Sequence, residues 1–241
     1  LTIVLSHRLQ WLADRVHGPS VADIGTDHAL LPIYLIQSGR CTSAIASDVA
    51  AGPCRSAAEN VQRYGLRRVI SVRQGNGLAT IRPGEVDTVV IAGMGGATAS
   101  EILRACPEVV DTLGRVLIQP MNASGAVRQW LLDAGFTLKE EAVVTEEGRF
   151  YEVLSAERGT APDAAYERYR GHPEEMRFAV HYGPFLLTAD DAVTRAYFQQ
   201  LWKKLREQLQ QVRQGTSASA LRRAEDLEAH MAFIARWHPV G

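Results

Sequence analysis

Carboxylates and small residues recur together in this chain wherever an apolar run ends. Asp23, Gly25, Thr26, Asp27 and His28 lie within and just after Val21-Ala22-Asp23-Ile24; Ser47, Asp48 and Val49 follow residues 42–46; Asn76 and Gly77 follow 69–72; Ala92, Gly93 and Met94 follow 86–91. A carboxylate at Asp48, 25 residues after Asp23, can accept hydrogen bonds from both hydroxyls of a ribose, although capping the next helix is the plainer role. Asn76 can read an adenine edge, or simply turn the chain with Gly77. The missing side chains of Ala92-Gly93-Met94-Gly95-Gly96 let a ligand approach the backbone. A dinucleotide would require G-x-G-x-x-G, whereas Gly25 is followed by Thr26-Asp27-His28, and an acidic side chain there repels phosphate. S-adenosylmethionine carries an adenosine, no phosphate and a positive sulfonium, so it suits an acidic loop better than a nicotinamide cofactor does.

These residues must be positioned by an alternation of strands and helices. Leu5 to Val16 reads as an amphipathic helix that starts near Ser6. The run ending at Ile24 is a buried strand and Gly25 turns the chain; a helix then begins at once, with Asp27 accepting hydrogen bonds from its first amides and Pro32 in its first turn. Further strands are expected at 42–46, 69–72, 86–91 and 116–119, with helices at 52–64, 96–105 and 127–134 between and after them. This pattern implies a parallel α/β sheet covered on both faces. Residues 136–144 and 150–155 read as an antiparallel hairpin joined by the five residues 145–149, which ends the sheet with a reversed strand. Thr160-Ala161-Pro162 marks a boundary between a domain at 1–158 and a helical one at 159–241. In the latter, Phe198, Trp202, Leu205, Leu209 and Val212 form a coiled-coil-like seam that faces Leu221, Ala224, Leu227, Met231 and Ile234 of a second, antiparallel helix.

With 46% hydrophobic and 22% charged residues, the 241-residue chain has the composition of a folded globular protein rather than a disordered one. A net charge of −1 means that a nucleic-acid partner would need a local basic patch. Three widely spaced cysteines give neither a disulfide framework nor a metal site. No apolar run reaches the roughly 18 residues of a membrane span. The expectation is a cytoplasmic protein with no metal and no membrane partner.

The segments D-I-G-T-D-H-A-L-L-P, A-S-D-V-x-x-G-P, Q-G-N-G-L, V-I-A-G-M-G-G, L-I-Q-P and R-F-Y-E-V-L resemble, in order, the motifs of the bacterial tRNA adenine-N(1) methyltransferases that modify the adenine at position twenty-two, in the D-loop region. The resemblance spans most of residues 5–156, with a weaker extension at Gly183-Pro184-Phe185-Leu186. It implies a class I methyltransferase (Rossmann-like) sheet, a C-terminal helical domain, S-adenosylmethionine as donor and tRNA as substrate. Leu30, Asn76 and Met121 stand where that family usually carries Tyr, Asp and Asn.

The target atom can be argued separately. No Asn- or Asp-Pro-Pro-aromatic segment of the kind used on exocyclic amines follows the fourth strand, and Cys106 stands at the far end of a helix, away from any role as a nucleophile. A ring nitrogen remains, and its methylation leaves a cationic base. Asp27 is the candidate to steady that charge, with His28 as a proton donor or acceptor; a helix cap and a structural hydrogen-bond partner are their plainer roles. Lys203, Arg206 and Arg213 share one helix face with Gln210 and, with Arg8, are the candidate RNA contacts, although such a stripe is more commonly just a solvated face. Two alternatives stay open, a methyltransferase for small molecules or proteins and a non-catalytic binding module.

Overall fold

The computed structural model describes residues 3–159 and 163–239, which form two compact units divided between Ala165 and Tyr166. The expected boundary at 160–162 lies outside the described residues.

In the first unit, a helix at His7–Ala13 (α1) precedes the strands Ser20–Ile24 (β1), Ser43–Asp48 (β2), Ile70–Gln74 (β3), Thr88–Met94 (β4), Arg115–Pro120 (β5), Phe136–Glu146 (β6) and Arg149–Arg158 (β7). Helices at Leu30–Gln37 (α2), Ala51–Arg63 (α3), Gly96–Arg104 (α4), Pro107–Val110 (α5) and Ser124–Asp133 (α6) connect them. The sheet order is β3-β2-β1-β4-β5-β7-β6, with every pairing parallel except those of β7. Strand order reverses between β1 and β4, which opens a crevice at their carboxyl ends. Six consecutive buried residues in β5 and four in β4 confirm that helices cover both faces. One continuous core joins Leu12 of α1, Ile33 and Leu35 of α2, Val61 of α3, and Val90 and Leu117 of the central strands.

Three local expectations change. β4 runs past Ile91 to Met94, with a register shift between Ala92 and Met94 around Gly93, whose φ is +80°. The hairpin link is two residues rather than five, because Glu147 and Gly148 both take positive φ (49° and 73°) and let the strands pair as far as Glu146 and Arg149. The reversed strand does not end the sheet: β7 inserts between β5 and β6, leaving β6 at the edge.

The hairpin is fastened to α6 by Arg128. This fully buried guanidinium pairs with Glu141 on β6, whose side chain is equally buried, and with Glu152 on β7. Burial of a lone charge is costly, so the pairing holds the helix and both strands in one register.

The second unit contains helices at Pro173–Tyr182 (α7), Pro184–Thr188 (α8), Ala192–Val212 (α9) and Ala218–Trp237 (α10). Asp191 caps α9 through its contacts with the amides of Val193 and Thr194, each at 2.9 Å. Leu205, Leu209 and Val212 of α9 pack with Ala224, Leu227 and Met231 of α10, as the seam requires. Leu221 does not join it. It lies 58% exposed one turn into α10, where the two helices connect.

Replacing Arg128 with Met should cost about 3 to 5 kcal/mol, because Glu141 is then left charged and buried. Urea denaturation measures this, and adding Glu141→Gln should recover part of the loss; a Met variant as stable as the parent would mean that the triad carries no stability.

Candidate functional site

The first two amides after β1 share a single carbonyl acceptor. Ser47 O accepts hydrogen bonds from Gly25 N at 2.7 Å and Thr26 N at 3.0 Å, while Ser47 Oγ meets Thr80 Oγ1 at 2.9 Å. Thr26 Oγ1 in turn accepts from Ala29 N at 3.1 Å. Ala29 takes a left-handed conformation (φ 54°), and α2 starts only at Leu30. Asp27 is therefore not the helix cap. With Thr26 tying the turn, Asp27 and His28 project outward, exposed, with His28 Nε2 3.2 Å from Asp27 Oδ2.

Two pockets adjoin at Gly25. The first, a cavity of about 360 Å³, is lined by Ser47 and Asp48 at the end of β2 and Val49 just after it, by Asn76 and Gly77 after β3, by Met94 of β4, and by Thr98, Glu101 and Ile102 of α4. Asp48 uses Oδ1 to accept from Ala50 N at 2.7 Å, which turns the carboxylate and leaves its other oxygen for a ligand. Gly77, at φ +53°, admits no larger residue, since a Cβ would lie 2.7 Å from Ile102 Cγ2. Met94 lies so close over Gly25 that a Cβ there would meet its Cε at 2.1 Å.

The second pocket, of about 280 Å³, is lined by Arg8, Asp23, Thr26, Asp27, His28, Leu30, Ala92 and Gly93. Burial pushes the Asp23 carboxyl up to about 6; the hydrogen bond from Thr26 opposes this rise and the charge of Asp48 adds to it. Arg8 is held from three sides: Nε donates to Glu146 Oε1 at 3.0 Å, Nη1 donates to Gln119 Oε1 at 2.7 Å, and the guanidinium stands 5.1 Å from the Tyr151 ring centre. The buried Gln119 also accepts from Gly93 N at 3.1 Å, which ties Arg8 to the irregular end of β4. Leu30, Val49 and Met121, following β1, β2 and β5, are exposed apolar residues at this same edge of the sheet.

All twelve residues expected around a cofactor line one or other pocket. The wall from α4 was missed, although Thr98, Glu101, Ile102 and Ala105 follow helical spacing; so were Gln119, Glu146 and Tyr151, which reach Arg8 only through sheet pairing. In the second unit Lys203 and Arg206 are exposed, Arg206 lies 5.2 Å from the Trp202 ring centre, and Arg213 pairs with Glu228 at 2.6 Å. The basic stripe is thus shorter than its spacing suggests. Among the described residues no group of His, Cys, Asp or Glu could hold a metal ion, and no helix is long and apolar enough to cross a membrane.

The pockets fit S-adenosylmethionine: four carboxylates (Asp23, Asp27, Asp48 and Glu101) and no phosphate cradle suit a cation, and Asp48, Asn76 and Gly77 surround a cavity with room for a nucleoside. Fold and site together define a class I S-adenosylmethionine-dependent methyltransferase. A family profile described as a methyltransferase domain matches residues 5–154. The tRNA (adenine(22)-N(1))-methyltransferase of Bacillus subtilis (strain 168) is 40% identical over 190 residues, which are 78% of this chain and 77% of that protein. The crystal structure of the B. subtilis m1A22 tRNA methyltransferase matches with a TM-score of 0.87 at 35% identity, covering 97% of this chain and 98% of that one. The Streptococcus pneumoniae protein Sp1610, in complex with S-adenosyl-L-methionine, matches with a TM-score of 0.78 at 33% identity over 95% and 100%. The chain belongs to the tRNA (adenine(22)-N(1))-methyltransferase family.

Asp23 has a consequence for pH. Its folded pKa, about 6, lies above its ordinary value of 3.8, so the folded state holds more protons between these values and stability falls as pH rises through that window. Asp23→Asn should therefore stabilise the ligand-free protein at pH 7.5 by up to about 3 kcal/mol, a gain that nearly closes by about pH 4. The same variant should bind S-adenosylmethionine more weakly. Urea midpoints at the two pH values, with calorimetry at pH 7.5, measure both; a variant no more stable at pH 7.5 would mean that the buried charge carries no such cost.

Proposed function

We propose that this chain transfers a methyl group from S-adenosylmethionine to N(1) of an adenine in the D-loop region of tRNA, at position twenty-two as in its relatives. The observation that carries the reading is the second pocket, where an exposed carboxylate, Asp27, stands beside the buried Asp23 under a rim that includes Leu30. When bound, S-adenosylmethionine supplies a methyl group activated by its sulfonium. Asp48 orients the ribose, with Asn76 at the adenine edge and Asn76 Oδ1 able to accept from its amino group. N(1) of adenine already carries a lone pair, so no base need first remove a proton there, and the work of the site is orientation and charge. Asp27 faces the cation that develops on the base. His28, within ion-pair distance of Asp27, holds that carboxylate in place or exchanges protons with it. The apolar side chain of Leu30 packs on the face of the base.

Mass spectrometry of nucleosides from tRNA incubated with protein and donor tests the activity. 1-Methyladenosine is the expected product, and an exocyclic methyladenine alone would overturn the assignment. Asp27→Asn should lower turnover by about 10²-fold or more, much further than it lowers S-adenosylmethionine affinity, with thermal stability close to the parent's because Asp27 caps no helix. An unchanged rate would remove Asp27 from catalysis.

The second unit serves as the RNA grip, with Lys203 and Arg206 on phosphates and Arg213 contributing less because Glu228 already neutralises it. Lys203→Gln with Arg206→Gln should make the dependence of log affinity for tRNA on log salt shallower by roughly 0.7 to 0.9 for each phosphate no longer neutralised. Arg213→Gln should change that slope by much less. Equal slopes in the parent and the double variant would place the RNA footprint elsewhere.

A further inference from the structure

Seven arginines stand over aromatic rings among the described residues. Five of them, Arg8, Arg15, Arg158, Arg177 and Arg236, also hold a carboxylate, so their charge is already balanced within the fold. The other two are Arg168 over Trp237 and Arg206 over Trp202. The indole nitrogen of Trp237 is buried without a hydrogen-bond partner, whereas that of Trp202 is not sealed off. Trp202 is partly exposed on α9, and it lies outside the cluster that Leu205, Leu209 and Val212 form with α10. Arg206 is exposed, pairs with no described carboxylate, and stands 5.2 Å from the indole centre, less closely stacked than Arg15 at 3.7 Å from Trp11. Four cations face one acid on α9, and three face three on α10, so the positive field of this hairpin comes from α9. Lys203 and Lys204, next to Trp202, are exposed and likewise pair with no described carboxylate.

An aromatic ring and an unpaired guanidinium one turn apart on a helix share one face. A nucleotide offers the two groups that such a pair can hold, a flat base and a phosphate. In an RNA helix each base is already stacked on its neighbours and turned inward, so an indole on a protein surface meets a base only where the strand is unpaired. Stacking on an aromatic side chain tolerates any base, while the neighbouring cations place the backbone. We propose that Trp202 and Arg206 hold one unpaired nucleotide of the substrate RNA, its base against the indole and its phosphate on the guanidinium, with Lys203 on an adjacent phosphate. The second unit then takes hold of a loop rather than a stem, and Arg206 acts at a defined nucleotide rather than through a diffuse field.

This inference rests on the tRNA methyltransferase reading, and the test separates the two. Fluorescence anisotropy with tRNA, with a single-stranded oligoribonucleotide and with an RNA duplex of equal length compares the full-length parent with Trp202→Leu and Trp202→Phe. Leu keeps apolar bulk and helix propensity but removes the ring, whereas Phe keeps a smaller one. Trp202→Leu should bind tRNA and the single strand at least about fivefold more weakly, and the duplex as the parent does. Its salt dependence should match the parent's, because no phosphate contact is lost. Trp202→Phe should recover most of the loss. The single strand should also quench the tryptophan emission of the parent more than that of Trp202→Phe, a readout that decides even if Trp202→Leu fails to fold. A Leu variant that binds every RNA as the parent does, or that loses single strand and duplex equally, overturns the platform and returns Trp202 to helix packing, as does quenching that Trp202→Phe leaves unchanged. In each of these outcomes the parent still binds tRNA and the methyltransferase reading stands; a parent that binds no tRNA overturns that reading.

Discussion

Two short hydrogen bonds to the carbonyl of Ser47 set the geometry on which this site depends. A carbonyl near the end of β2 holds the amides of Gly25 and Thr26 just beyond the end of β1, so the loop is anchored to the neighbouring strand rather than to the helix after it. That anchor has three effects. Gly25, which has no side chain, is held where Met94 lies across it, the hydroxyl of Thr26 ties down Ala29, and Asp27 and His28 are left facing out. Had Asp27 capped the helix, its oxygens would be occupied by amides and unable to meet a developing positive charge.

The acidic pocket is a compromise between folding and binding. Asp23 is buried near the charge of Asp48 with no ion-pair partner of its own among the described residues, and the raised carboxyl pKa is the sign of that tension. Sites that bind a charged ligand commonly retain destabilising groups, because a charge balanced in the ligand-free state would have less to gain from the ligand. Arg8, paired with Glu146, sits at the other extreme: its charge is balanced and its orientation is fixed within the fold.

Periodicity and glycine placement made the sheet, its parallel character and the residues at the strand ends that line the first pocket legible in the sequence, though not the wall from α4, because buried strands and close backbone approaches restrict which residues can occur. The features that were not legible depend on partners distant in sequence or on a choice between adjacent side chains. Nothing near Asp27 reveals that the oxygen of Thr26, and not its own, meets the helix amide. Glu146 and Tyr151 reach Arg8 only once β6 and β7 are placed, and the pairing of Arg213 with Glu228 joins two helices. Leu221 has the spacing of a seam residue but lies beside the connection, where the opposite helix no longer covers it. The hairpin was misjudged for a different reason: Glu147 is an uncommon residue at positive φ, so the two-residue turn carries only half of its usual signature.

The insertion of β7 between β5 and β6 also constrains the order in which a nascent chain can become competent. Until residue 158 has left the ribosome, β5 presents an unpaired edge and β6 has no neighbour to join. The same late segment carries Tyr151, and the turn it completes fixes Glu146, so the clamp on Arg8 near the start of the chain closes only when the last strand arrives. A first unit truncated before β7 would keep the first pocket, whose lining residues end at Ala105, but would lack the strand that fixes Arg8.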